Sequence, residues 1–273
     1  MTASGSFGKV VIVGVGLIGG SFGLALRSAN RVGELVGVGR SRAAIEQALA
    51  RGAVDRAATD WADAMRGVDL VLIATPVGQI DHVMGELAPY LESHTLLTDA
   101  GSTKRDVVAA AYRRLGARAG QFVPAHPIAG AESSGVAAAS ADLYRDRHVI
   151  LAPLPENEPA AIERVRAAWG ACGARVSAMS ADEHDRVFAA VSHLPHLLAF
   201  ALVEELAARD NADLLFGFAA SGFRDFTRIA GSHPEMWRDI CMANREALIE
   251  ELDRYLGALG RLRESLRSFD AAA

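Results

Sequence analysis

Lysine and cysteine are scarce in this 273-residue chain, and each shortage limits the kinds of ligand site that the chain can form. Lys9 and Lys104 are the only lysines, so nearly all the cationic side chains are arginines. Their planar forks suit carboxylates and phosphates, although a GC-rich genome also favours arginine codons. Cys172 and Cys241 each stand without a cysteine or histidine at metal-ligand spacing. We therefore expect free buried thiols and no metal site.

Excess positive charge and long apolar runs are also missing. The net charge of −5 gives a nucleic-acid partner no electrostatic support. No apolar run reaches the roughly 18 residues of a membrane span, and the first residues have no signal-peptide core. The composition, 51% hydrophobic and 22% charged, is that of an ordinary globular protein. We expect a cytoplasmic protein with neither a membrane nor a nucleic-acid partner.

Short apolar runs alternate with helical patterns over the first 178 residues, which predicts a parallel α/β sheet. The runs are mostly continuous in hydrophobicity, as in strands that are buried on both faces. The predicted strands are residues 10–13, 35–39, 70–74, 96–99, 122–124, 149–152 and 175–177. The predicted helices between them are residues 17–29, 42–51, 79–90, 103–115 and 158–171.

No strand pattern remains in the last third of the chain. A capping-box sequence at residues 180–183 predicts a long helix that Pro195 should bend. The further predictions are a helix over 212–220, a loop over 221–228, and a helix over 234–268 with a break near 257–260. We therefore expect a doubly wound, Rossmann-type dinucleotide-binding domain over residues 1–178 and an all-helical domain over residues 179–273.

A glycine-rich turn follows the first predicted strand and opens the first helix. Gly14 permits the tight turn, Gly16 lets the backbone approach a pyrophosphate, and Gly19 allows close packing of helix on strand. With Leu17 and Ile18, these residues would place phosphates at a helix N-terminus, where free N–H groups favour anions. This pattern predicts dinucleotide binding.

The second strand lacks the acidic residue that usually binds the ribose 2′-hydroxyl of NAD. Arg40, Ser41 and Arg42 follow it and are candidate donors to a 2′-phosphate, which favours NADP. NAD remains the alternative if the two arginines are merely solvated. Thr75 and Pro76 follow another strand, where they either line the cofactor cleft or form a simple turn.

His126 lies between two prolines after an apolar strand, which is a rigid mount for an imidazole that accepts a proton. A structural histidine is the alternative. Asp99 and Ser102 lie in a segment that ends one strand and begins a helix. There Asp99 is a candidate helix cap, and Ser102 would project a hydroxyl into the cleft.

Two further pairs lie in the helical half. His193 and His196 share a helical face, and core or substrate-binding roles fit them better than metal binding, because no third ligand has suitable spacing. Arg224 and Arg228 flank Asp225, either as a clamp for a carboxylate or as a surface ion-pair cluster.

In this order, the motifs resemble the prephenate/arogenate dehydrogenase family of tyrosine biosynthesis over nearly the whole chain. They are the glycine turn at 14–20, Ala74–Val77, Asp99–Lys104, His126–Gly130, Ser192–His196 and Gly222–Ala230. The resemblance implies oxidative decarboxylation of a cyclohexadienyl ring. Hydride passes from the hydroxyl-bearing ring carbon to the nicotinamide, carbon dioxide leaves from the opposite carbon, and the ring becomes aromatic.

The resemblance also implies roles for individual residues. His126 accepts the ring hydroxyl proton, Ser102 orients that hydroxyl, and Arg228 binds a substrate carboxylate. His196 contacts the side-chain end of the substrate, and Trp237 lies near the pocket.

Glu132 departs from the family pattern, in which many members have threonine just after the His-Pro-x-Ala-Gly motif. It is a candidate either for steering arginines at the pocket or for meeting the ammonium of arogenate, so prephenate and arogenate both stay open. The helical half implies a homodimer. The alternatives are a non-catalytic NADP-binding sensor and a β-hydroxyacid dehydrogenase. The catalytic lysine that the latter needs on its helical side is missing after Lys104.

Overall fold

The computed structural model describes residues 6–131 and 134–268, and it divides into two compact units. The first unit runs up to His184, and the second begins at Asp185. This division falls a few residues beyond the boundary expected from the sequence.

Five parallel strands form the main sheet of the first unit, in the order β3-β2-β1-β4-β5. Their bounds are β1 Phe7–Val13, β2 Val32–Val38, β3 Arg56–Ala57, β4 Leu70–Ile73 and β5 Leu96–Asp99. The last four residues of β1, Val10–Val13, and all of β4 are buried, as expected for apolar strands that are covered on both faces.

Six α-helices connect or cover these strands. They are α1 Leu17–Ser28, α2 Arg42–Ala50, α3 Trp61–Met65, α4 Val77–Leu87, α5 Arg105–Leu115 and α6 Pro159–Ala171. Trp169 of α6 packs on Phe22 of α1 at 4.7 Å and edge-on to Tyr144 at 5.3 Å between ring centroids. This aromatic cluster joins the core around β1.

A second, three-stranded sheet contains β6 Ala125–Pro127, β7 His148–Leu151 and β8 Arg175–Ala178. The expected strand at 122–124 is displaced, because β6 begins at Ala125 and runs antiparallel to β7. Val123 instead donates to the carbonyl of Leu97 beside β5. Pro124 separates the two pairings because it has no N–H to donate.

Helices make up the regular structure of the second unit as far as it is described, to residue 268, and a helical run crosses into it from Ala181. The elements are α7 Ala181–Phe188, a π-helical turn Ala189–His193, α8 Leu194–Ala207, α9 Ala212–Gly217, α10 Ser221–Thr227, α11 Pro234–Ala243 and α12 Arg245–Ser268. Pro195 lies in the first turn of α8, where its missing N–H is tolerated. A π-helical turn precedes it, and the bend expected at Pro195 stays a prediction.

Two expectations for this half are corrected. The segment at 221–228 is not a loop, because Ser221–Thr227 forms α10. The last helix does not break near Gly257–Gly260. The break lies at Asn244, between α11 and α12.

Among the described residues, the helical stretch Ala181–Ala207 is long and apolar enough to cross a membrane by length and composition alone. Its most apolar window has a mean hydropathy of 1.6 and is 28% buried. A single such helix is weak evidence, since core helices of soluble proteins pass the same test. The expected absence of a membrane segment stays a prediction.

Candidate active site

The glycine turn between β1 and α1 depends on two glycines for its close approaches. Gly14 has φ +94°, and a Cβ there would lie 2.6 Å from the carbonyl oxygen of Ala74. A Cβ at Gly19 would lie 2.1 Å from the carbonyl oxygen of Gly14. The turn therefore packs against the end of β4, and α1 packs against the turn.

Gly16 is different, because a Cβ there would meet no described atom within 4 Å. It is the N-cap of α1, and it provides no side-chain cap to the first turn, which contains Leu17 and Ile18. The Ile18 carbonyl accepts a 2.6 Å hydrogen bond from the buried hydroxyl of Tyr144. Open space beside an uncapped helix N-terminus fits the pyrophosphate of a dinucleotide.

The segment after β2 has the donors that a 2′-phosphate would need. Ser41 caps α2 by accepting from the N–H of Ala44 at 3.2 Å. Arg42 is highly exposed and pairs with Glu46 at 2.8 Å, one helical turn later. Arg40 is exposed and has no ion pair with any residue that the structure describes. Arg40 is therefore the arginine of the pair that is available to a ligand.

Thr75 and Pro76 connect β4 to α4, at the carboxyl edge of the parallel sheet. Pro76 is exposed, and the Thr75 hydroxyl is buried without a partner among the described residues. Their place beside the glycine turn fits the cofactor cleft, where ligands of open α/β sheets bind.

Asp99 does not cap a helix, contrary to expectation. α5 begins only at Arg105, and fully buried Lys104 places its ammonium 2.5 Å from the Asp99 carboxylate. The Asp99 oxygens also accept from the backbone N–H groups of Gly101, at 2.8 Å, and Ala125, at 2.9 Å. Ser102, which follows in the same loop, is half-buried.

His126 lies at the centre of β6, opposite Ile150 of β7. Its Nδ1 is 2.8 Å from Nε2 of His184, and the two rings meet edge-on with centroids 5.0 Å apart. His184 is fully buried, whereas His126 is partly exposed. One nitrogen of this contact must donate and the other accept, so the pair fixes the orientation of the His126 ring.

His184 is the functional candidate that sequence reasoning missed. The capping box at 180–183 located its helix, and its side chain falls in the first turn, 58 residues from His126. Only the packing of α7 brings the two rings together.

In the second unit, His196 stacks on Trp237 with centroids 3.5 Å apart and planes inclined by 17°. Its Nδ1 lies 2.9 Å from the carbonyl oxygen of Ser192. A carbonyl only accepts, so Nδ1 carries the proton and Nε2 presents a lone pair. Burial lowers the pKa of His196, the Ser192 carbonyl partly opposes this, and the charge of Arg228 lowers it further.

Arg228 begins a short 3₁₀ segment, Arg228–Gly231, directly after α10. The charge of its guanidinium group contributes to the lowered pKa of His196, so the two side chains lie in the same part of the unit. Arg224 lies on α10 itself and is exposed. Arg228 is exposed as well, so exposure does not distinguish the two arginines.

His193 is almost completely buried, unlike His196. The side-chain amide of Asn244 donates to the carbonyl of Asp185 at 2.7 Å, so its nitrogen also faces Nδ1 of His193, at 3.1 Å. His193 also packs edge-on against Trp237, with ring centroids 6.1 Å apart. Its surroundings support the ring of Trp237. Its expected contact with a substrate stays a prediction.

Two further expectations concern absent or undescribed features. Glu132 lies outside the described residues. Within the described ranges, no group of three or more histidine, cysteine or acidic side chains is arranged to hold a metal ion.

Known proteins match this chain along nearly its full length. The profile of the prephenate dehydrogenase nucleotide-binding domain matches residues 22–178, and that of the prephenate dehydrogenase dimerization domain matches residues 180–272. Prephenate dehydrogenase of Bacillus subtilis is 37% identical over 264 residues, covering 96% of this chain and 71% of that protein. Cyclohexadienyl dehydrogenase of Zymomonas mobilis is 34% identical, covering 97% and 90%.

Solved structures give the same result. Prephenate dehydrogenase from Aquifex aeolicus, in complex with hydroxyphenyl propionate and NAD+, superposes with a TM-score of 0.91 at 36% identity, covering 97% of this chain and 93% of that one. Arogenate dehydrogenase of Synechocystis has a TM-score of 0.81 at 28% identity, covering 96% and 93%. The predicted combination of a Rossmann-type sheet and a helical domain is confirmed.

Proposed function

This chain belongs to the prephenate dehydrogenase family and is a nicotinamide-dependent oxidoreductase, and on that premise we propose how its residues carry out the reaction. The substrate is a cyclohexadienyl acid, prephenate or arogenate. The product is the aromatic acid, with loss of carbon dioxide. The observation that carries the assignment of roles is the contact of His126 with His184 on a short, proline-flanked strand.

His126 is the proton acceptor. If its Nδ1–H donates to Nε2 of His184, the Nε2 of His126 is its unprotonated nitrogen, and we assign to that nitrogen the proton of the substrate's ring hydroxyl. The imidazolium that forms is then held by the same hydrogen bond. Base assistance of this kind contributes about 10²–10⁴ in rate.

Ser102 orients the same hydroxyl group. It lies in the loop after β5, at the carboxyl edge of the parallel sheet, where ligands of such sheets bind. Its hydroxyl has no hydrogen-bond partner among the described residues, so it is available to a ligand. A bound nicotinamide dinucleotide supplies the hydride acceptor, and Gly16, Leu17 and Ile18 would hold its pyrophosphate.

Arg228 binds a substrate carboxylate, and His196 with Trp237 contacts the side-chain end of the substrate. Arg228 offers a planar fork of donors, and His196 offers the Nε2 lone pair that its bond to Ser192 leaves free. This acceptor favours the ammonium of arogenate over the ketone of prephenate. Glu132 has the charge to act in the same direction.

NADP is the preferred cofactor. The support is the missing acid after β2 together with the exposed guanidinium of Arg40 and the hydroxyl of Ser41. NAD remains the alternative, and the relative from Aquifex aeolicus was solved with NAD+.

Two copies of the chain form a homodimer through the helical unit. Exposed leucines recur at spacings of three and four along α12, at Leu256, Leu259, Leu262 and Leu266. An apolar stripe of this spacing is suited to pairing with another helix. Light scattering should give a molecular mass twice that of the chain. In the double variant Leu259→Glu with Leu266→Glu, the measured mass should fall to that of a single chain.

Initial rates of reduced-nicotinamide formation test the function. Prephenate and arogenate are each assayed with NADP+ and NAD+, and we expect turnover to be fastest with arogenate and NADP+. Turnover of prephenate alone would refute the preference for arogenate but would still support the proposed oxidative decarboxylation. If folded protein binds NADP+ but turns over neither substrate, a non-catalytic NADP-binding sensor is the correct interpretation.

A further inference from the structure

One buried carboxylate, that of Asp99, connects the two chain segments that contain Ser102 and His126. Its Oδ2 accepts from the N–H of Gly101 at 2.8 Å, immediately before Ser102. Its Oδ1 accepts from the N–H of Ala125 at 2.9 Å, immediately before His126. Asp99 is the last residue of β5 and is completely buried.

Lys104 completes this arrangement from the other end of the loop. Its ammonium is 2.5 Å from Asp99 Oδ2, and both side chains have no exposed surface. Removing two charges from water is costly, and a buried ion pair often contributes little net stability compared with apolar residues. Stability alone therefore does not explain the buried pair. We look for its role in the two chain segments that it connects, which contain Ser102 and His126.

We propose that Asp99, neutralised by Lys104, is a positioning residue that sets the Ser102 loop against the His126 strand for proton transfer. This inference rests on the roles proposed above for Ser102 and His126. The three donors around Asp99 need a carboxylate with two acceptor oxygens. An asparagine has one oxygen, so its amide N–H₂ would face an N–H or the ammonium, and at least one segment would shift.

Asp99→Asn is the first test. Because a misplacement of about 1 Å costs about 10²-fold in rate, we expect kcat to fall about 10- to 100-fold per folded molecule. Cofactor affinity should change less than about twofold. With substrate deuterated at the hydroxyl-bearing ring carbon, the isotope effect on kcat should rise, because the chemical step becomes slower than product release.

Two more variants perturb the same arrangement without leaving an unpaired charge. Asp99→Asn with Lys104→Gln removes both charges together. Gly101→Ala keeps both, but its Cβ would lie 2.8 Å from Asp99 Oδ2 and displace the carboxylate. Asp55→Asn is the matched control, since Asp55 also binds a backbone N–H, that of Leu35, and a cation, Arg27. It should lower stability without changing kcat or the isotope effect.

Each outcome decides the matter. Lower kcat with a raised isotope effect in folded variants supports the positioning role. If the variants fold and keep kcat within about twofold of the parent, the inference is wrong. If none of the three folds, the pair serves folding alone and the inference is also wrong. An inactive parent protein on both substrates would instead refute the proposed function.

Discussion

Nδ1 of His126 lies 2.8 Å from Nε2 of His184, so the orientation of one imidazole depends on the other. His184 is fully buried in the first turn of α7, and His126 lies on β6. If Nε2 of His184 is the acceptor, the His126 tautomer has its proton on Nδ1 and an unprotonated Nε2. The roles of the two histidines can therefore be separated by substitution.

Removing the acceptor at His184 should lower kcat without removing the base itself. We expect His184→Leu to reduce kcat about 10- to 100-fold, by analogy with metal-ligating histidines, for which loss of the orienting partner costs about this much. His184→Gln should recover part of the rate because its amide oxygen can accept. His126→Asn should cost more, about 10²–10⁴-fold, while cofactor binding persists.

Steady-state rates over pH 5–9 provide the readout. Parent activity should fall toward acid because a general base must be neutral to accept a proton, and this limb should move in His184→Leu but not in the control His148→Asn. His148 is exposed on β7. Equal rates in His184→Leu and the parent protein would show that His184 does not orient the base.

The same substitution should weaken cofactor binding at Gly16 and weaken the fold at Gly19. Gly16→Ala has free space in the described structure, so the free energy of unfolding should change by less than about 1 kcal/mol while cofactor affinity falls at least tenfold. Gly19→Ala places a Cβ 2.1 Å from a carbonyl oxygen and should destabilise the fold by several kcal/mol. Chemical denaturation and cofactor titration measure both effects. Unchanged cofactor affinity in Gly16→Ala would contradict pyrophosphate binding at this turn.

Arg40 should discriminate between the two nicotinamide cofactors. Arg40→Ala should raise the KM for NADP+ about 10- to 100-fold, since a charged hydrogen bond contributes about 1.5–3 kcal/mol, and leave the KM for NAD+ nearly unchanged. Arg42→Ala should do less, because Arg42 is already paired with Glu46. Equal losses with NADP+ and NAD+ in Arg40→Ala would refute the 2′-phosphate site.

Local sequence patterns predicted the elements with strong periodicity. The last four residues of β1 and all of β4 are runs of valine, isoleucine and leucine, and such runs form strands that are buried on both faces. β3 and α3 escaped prediction because Arg56–Ala57 and Trp61–Met65 are too short to show a period. The break at Asn244 was also missed. Gly257 and Gly260 remain helical because propensity is a weak constraint within a long helix.

Some site residues could be identified from their neighbours in sequence, and others could not because their contacts join distant segments. The glycine turn and His126 are readable because each depends on its immediate neighbours. His184 and the true partner of Asp99 are not, because both contacts join distant segments through packing. A capping role for Asp99 follows from its neighbours in sequence. The buried ammonium of Lys104 determines the role that the structure shows.

The lowered pKa of His196 should make the protein less stable in acid. Burial and the charge of Arg228 keep the folded histidine neutral, whereas the unfolded one protonates near pH 6.5. Between the lowered pKa and about 6.5, the unfolded chain binds more protons. The free energy of unfolding must therefore fall as pH decreases through this interval.

Imidazole NMR titration and urea unfolding at pH 7.5 and 5.5 check this directly. His196→Asn should lose less stability between the two pH values than the parent, because it removes the group that resists protonation. Arg228→Gln should raise the pKa of His196 by removing a repulsive charge, whereas Arg224→Gln on α10 is the matched control. A His196 that titrates at or above pH 6.5 in the folded parent would show that the imidazole does not stay neutral, and the acceptor role of its Nε2 would fail with it.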